Sequence, residues 1–252
     1  MAVSLRPGKA AGAPGRRAGV GRVVFALAAL LSFTGNALSF HIGSWKDSDL
    51  PADAGFSGGF AGGWEHLVNQ PSYFTFLSNF LVGLTSLLLA LRPYRTSTLF
   101  HALRIAAVVC IVITGVVFNV LLRGAPPGTP VEHLNDTIQH IITPILTPLV
   151  WLVFDPRGQV TWKRIGLAAI VPLTWLAFTL ARGPALDWYP YSILDVPRMG
   201  YDGVAVYVVA ILAFFFVLAA LMWAVDRSLA RVSSKLPADH TVGGDPADLT
   251  GR

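Results

Sequence analysis

The chain has 252 residues, 54% of them hydrophobic and only 13% charged, with a net charge of +5. Its mean hydropathy is +0.58. A soluble domain carries roughly twice that charged fraction and mixes its apolar residues with polar ones, so the long uninterrupted apolar blocks seen here exclude a soluble fold.

Residues 1–20 are rich in Gly, Ala, Pro and basic side chains, with little to bury, and are expected to form a disordered tail. The first apolar block, Arg22 to Phe40, follows those basic residues. Its length and the lack of a small-x-small site after it favour a membrane anchor over a cleaved leader. A loop over 41–71 includes Gly55, Gly58, Gly59, Gly62 and Gly63, which suggests a mobile middle.

Further blocks cover Ser72 to Leu91, Ala102 to Leu122, Asp136 to Phe154, Lys163 to Ala181 and Gly203 to Val225. Each is close to the roughly 20 residues that a helix needs to cross a bilayer. In lipid the backbone must satisfy its own hydrogen bonds, and blocks of this length do so as helices. The expected fold is therefore all-α: a six-helix transmembrane domain over 21–230, closed by a second disordered tail over 231–252. The fourth block holds Pro144 and Pro148, each of which removes a backbone donor. A kink is predicted there, with Thr143 and Thr147 on hand for freed carbonyls. The single Cys110 falls mid-block and reads as packing, and Trp151, Trp162 and Trp223 read as an inner aromatic belt.

Orientation follows from the basic residues. With a cytoplasmic N-terminus, 15 of the 19 Lys and Arg lie inside, leaving Lys46, Arg123, Arg182 and Arg198 outside. Basic residues resist translocation, so both termini are expected in the cytoplasm. The plasma membrane is the expected location. The pI near 9.7 is then a topology signal, and nucleic-acid binding is not implied.

Polar residues inside apolar blocks are costly and point to function. Here they gather toward the outer end: Asn36, His41, Thr75, Asn79, Asn119 and His140. Counting about 1.5 Å per residue places Thr75 and His140 about one turn into their helices, at similar depth. Asp136 and His140, at i and i+4, share a helix face. A carboxylate, an imidazole and a facing hydroxyl form an orienter, base and nucleophile. Asp136 also suits a helix N-terminus, with Asn135 as its cap. Asn79, Asn119 and the amino-terminal amides of the second helix are candidates for stabilising an oxyanion.

Gly62-Gly63-Trp64 with Tyr73-Phe74-Thr75-Phe76, then Leu134-Asn135, His140 and Pro144, then Trp188-Tyr189-Pro190, resemble in order three elements of the androgen-induced protein family. The chain is similar to that family over about 60–225, in a bacterial-type, Ala- and Gly-rich form. The intervals differ: Gly-Gly-Trp lies farther from the Thr, and Asn135 lies one residue farther from the His. The resemblance implies a multi-pass hydrolase of fatty acid esters of hydroxy fatty acids, with Thr75 as nucleophile and His140 as base. It implies no cofactor and no metal, with membrane lipids and a fatty acyl ester as partners. The competing expectations are a small transporter or sensor that binds a solute or lipid in the same cluster, and a membrane cytochrome in which His41 would partner His140.

Overall fold

A computed structural model describes residues 13–235, apart from Ala52 and Ala125. Its elements are α1 (Ala13–Gly43), a short α2 (Trp64–Asn69), α3 (Phe74–Leu91), α4 (Thr98–Val117), α5 (Pro130–Thr137), α6 (Thr143–Phe154), α7 (Trp162–Leu186) and α8 (Val196–Lys235). A π turn, Ile138–Ile142, joins α5 to α6 in one span, and another, Phe118–Leu122, ends α4. Six helices are long and apolar enough to cross a membrane, and no strand occurs among the described residues.

The helices overrun the expected blocks. α1 reaches back to Ala13 and α8 on to Lys235, both inside the predicted tails, whose remainders at 1–12 and 236–252 lie outside the described residues. The fourth span starts at Pro130 rather than Asp136. Thr129 accepts from the Glu132 amide while the Glu132 carboxylate takes the Thr129 N–H, a reciprocal cap with Pro130 in the first turn. Asn135 is therefore no cap; it lies within the helix.

α4 is the central helix. Its Ala106 and Ala107 are fully buried and let neighbouring backbones approach. Ile105, Val109, Cys110 and Ile113 pack with Trp151, Ile165, Ala168, Phe215 and Ala219 from α6, α7 and α8. Trp151 thus belongs to the core, while Trp162 and Trp223 face each other with ring centroids 5.4 Å apart. Outward faces remain apolar, as at Ile170, Val206, Val209 and Leu221, which a bilayer would solvate and water would not. Inside the bundle Arg104 makes a two-pronged ion pair with Asp155 at 2.8 and 2.9 Å, and its remaining donors reach Thr85 and Ser86.

The first loop is tied down, against the expectation of a mobile middle. The Gly55 amide donates to Asp195 at 2.7 Å, and the Gly58 amide donates to the Asp187 carbonyl at 2.7 Å. Phe56 packs with Trp188, Tyr189 and Leu194. A Cβ on Gly58 would come within 2.3 Å of two carbonyl oxygens, so glycine serves close approach there. This loop and the α7–α8 connection together cover one end of the bundle.

Candidate active site

Beneath that cover, α3 begins at Phe74 with Tyr73 as its N-cap, and Thr75 sits in its first turn. The entry is fixed from α7. Trp175 donates its indole N–H to the Ser72 carbonyl at 2.9 Å, and Arg182 donates to Asn69 and to the Ser72 hydroxyl at 2.8 Å each. A short, rigidly held lead-in therefore places the Thr75 side chain.

His140 lies in the π turn of the fourth span. Such turns widen a helix locally and occur often at functional sites. The cause is Pro144, which offers no N–H to the carbonyl four residues earlier, that of His140. Asn119 from α4's own π turn fills the gap, donating to the His140 carbonyl at 2.9 Å. Thr143 does face carbonyls of its own span, as expected, with Oγ1 2.9 Å from that of Ile138 and 3.4 Å from that of Gln139, and it lies 2.9 Å from Asn79 Oδ1 as well.

The imidazole is held on three sides. Nδ1 lies 2.7 Å from Asp136 Oδ1, one helical turn away. The Phe118 ring stacks face to face on it, centroids 3.5 Å apart and planes within 6°. Nε2 lies 3.4 Å from Thr75 Oγ1. With the carboxylate accepting from Nδ1–H, Nε2 carries the lone pair, and the Thr75 hydroxyl donates to it. Asp136 Oδ2 faces Arg123 at 3.5 Å, and Arg123 in turn donates to Asn119.

The remaining residues singled out from the sequence are placed elsewhere. Asn79 donates to the Thr75 carbonyl at 3.0 Å and toward Gln139. Asn135 donates to Ser39 and accepts from Gln139. Asn119 spends its donors on the Gly115 and His140 carbonyls. None of the three amides is aimed at the Thr75 hydroxyl; they brace the helices that carry it. His41 is exposed, with its ring against Trp45. Among the described residues no group of three or more His, Cys, Asp or Glu is arranged to hold a metal ion.

One neighbour was missed. Tyr191, in the α7–α8 connection, puts its hydroxyl 3.4 Å from Thr75 Oγ1 and accepts the Thr75 backbone N–H at 3.2 Å. It follows directly on Trp188-Tyr189-Pro190, a segment already noted in the sequence, but only folding of the connection reveals which aromatic turns inward. Thr75 and Tyr191 share the wall of an apolar cavity of about 100 Å³ between α4, α7 and α8, with Val117, Leu176, Ile211 and Phe215.

No family model, curated protein or solved structure matches this chain. A hydroxyl, an imidazole and a carboxylate stand in line, with the base nitrogen beside the hydroxyl and the carboxylate on the far ring nitrogen. That order permits nucleophilic catalysis at Thr75. The Thr–His separation is long for a hydrogen bond, as is common at such sites before substrate binds.

Proposed function

We propose that this protein is an integral membrane hydrolase of fatty acyl esters, with Thr75 as nucleophile, His140 as base and Asp136 as the group that orients the base. The reading rests on one observation: Thr75 Oγ1 is 3.4 Å from His140 Nε2 while Nδ1 is 2.7 Å from Asp136. The apolar cavity against Thr75 supports an acyl group as the part of the substrate held there. The likeness of three sequence elements to the androgen-induced protein family points the same way.

In this mechanism His140 takes the Thr75 proton as the oxygen attacks the ester carbonyl. The tetrahedral intermediate collapses, His140 returns the proton to the departing alcohol, and an acyl-threonine remains. Water activated by the same imidazole then attacks, freeing the acid and restoring the hydroxyl. Asp136 stabilises the imidazolium that forms at each stage, and no cofactor takes part.

The bias of basic residues supports cytoplasmic termini, which would put this end of the bundle at the outer leaflet of the plasma membrane. An ester dissolved in that leaflet would then reach the site from the lipid.

Purified protein in detergent, offered 4-methylumbelliferyl esters of increasing acyl length, tests the reading. Turnover that favours long acyl chains and vanishes in Thr75→Ala supports it. Retention of a fatty ester without turnover would favour a lipid-binding sensor or transporter instead.

A further inference from the structure

Ester hydrolysis at Thr75 needs a donor for the negative oxygen of the tetrahedral intermediate, since an unpaired anion in so apolar a setting is prohibitively costly. The amides of Asn79, Asn119 and Asn135 are committed to other acceptors. The Thr75 backbone N–H, at the open end of α3, already donates to a phenol oxygen. We infer that this phenol, Tyr191, is the oxyanion donor of the site, a role that rests on the hydrolase reading above.

The Tyr191 oxygen accepts the Thr75 N–H, so its own hydrogen is turned elsewhere, either to Thr75 Oγ1 or into the cavity that both residues line. Thr75 gives its hydroxyl hydrogen to His140, leaving an Oγ1 lone pair free to accept from Tyr191 at 3.4 Å. When Oγ1 bonds to a carbonyl carbon, the oxyanion stands one bond beyond that carbon, on the cavity side. A donor this close to Oγ1 and facing the same cavity then shortens onto the anion. Accepting a backbone N–H also polarises the phenol and strengthens its donation, because linked hydrogen bonds reinforce one another.

The phenol is held rigidly. Its ring packs against Tyr73 and Trp175, both with centroids 6.1 Å away. Those contacts do not involve the hydroxyl, so Tyr191→Phe removes the donor and keeps the packing. Desolvation holds the Tyr191 hydroxyl above the ordinary phenol range, with the Thr75 hydrogen bonds opposing, so it keeps a proton to donate at neutral pH.

The test compares the parent, Tyr191→Phe and Thr75→Ala in detergent. The readouts are kcat and KM on a long-chain 4-methylumbelliferyl ester, the inhibition constant of a matching alkyl trifluoromethyl ketone, and the thermal midpoint. The ketone adds to a nucleophile and carries the oxyanion. Loss of one such donor elsewhere lowers kcat by about 10²–10³-fold. We expect a fall of that order in Tyr191→Phe, with KM and the thermal midpoint nearly unchanged and ketone affinity weakened in parallel. An unchanged kcat, or a raised KM with normal kcat, would overturn the assignment while leaving the hydrolase reading intact. A parent as inert as Thr75→Ala would remove both.

Discussion

Asn119 donates its side-chain amide to the backbone carbonyl of His140 at 2.9 Å, from one π turn to another. The bond exists because Pro144 cannot supply the missing N–H. It couples the position of the base to α4, which also carries the stacked Phe118.

Replacing Asn119 with Leu keeps volume but strands that carbonyl. Leaving such a group unpaired costs about 1–3 kcal/mol. Asn119→Leu should lower the thermal midpoint and cut turnover together, measured on the same detergent preparation. An active, equally stable variant would show that the π turn holds itself.

Asp136→Asn tests the orienter. An amide presents either oxygen or NH₂ to Nδ1, so the tautomer is no longer dictated. In a serine protease triad the same change costs about 10⁴-fold in kcat with the geometry preserved. A drop of at least about 100-fold in kcat at similar KM is expected. Near-parental kcat would leave Asp136 only its contact with Arg123.

Gly115 packs against Pro144 so closely that an added Cβ would lie 2.5 Å from the proline Cβ. Gly115→Ala should push α4 from α6 and cost about 1–3 kcal/mol, the range for overpacking. Because Phe118 rides on α4, turnover should fall too. The check is the thermal midpoint alongside kcat.

The Arg104–Asp155 pair is buried on both sides. Removing one partner leaves an uncompensated charge, at a cost of about 3–5 kcal/mol. Asp155→Ala should therefore yield little folded protein, whereas the double change Arg104→Leu with Asp155→Leu should recover much of it. Equal yields from single and double variants would show that the stranded charge is not what destabilises the fold.

Burial raises the Tyr73 and Tyr191 hydroxyls above their ordinary value of 10, with desolvation the largest cause for each. A raised folded-state value means the stabilisation is intact below the unfolded phenol's value and is lost as pH climbs from there toward the folded one. The thermal midpoint should thus hold up to about pH 10 and fall above it more steeply in the parent than in a Tyr73→Phe, Tyr191→Phe double variant. Parallel curves would rule out this linkage.

The six spans were legible because lipid leaves a long apolar run no option but helix. The Thr75–His140 pairing was legible because helical rise converts chain position into depth. Depth says nothing about which way a side chain faces, so chain position suggests a belt for Trp151, whereas its ring points into the core. The cap at Thr129 and Glu132 is written in the sequence as Thr-x-x-Glu, and it moves the fourth span's start back to Pro130. Tyr191 was out of reach for a different reason. Its place depends on the α7–α8 connection docking on the first loop through Gly55–Asp195 and Gly58–Asp187, contacts between segments well over a hundred residues apart. The same docking explains why a Gly-rich loop that looks mobile is packed.

Activation of Thr75 by His140 as a nucleophile is open to chemical labelling. A fluorophosphonate probe reacts far faster with an activated hydroxyl than with an ordinary one, so labelling is compared in membranes bearing the parent, Thr75→Ala or His140→Ala at matched expression. Labelling of the parent is expected, with the adduct mapped to Thr75 by mass spectrometry, and none in either variant. An unlabelled parent, or a Thr75→Ala variant that labels as strongly, would contradict it.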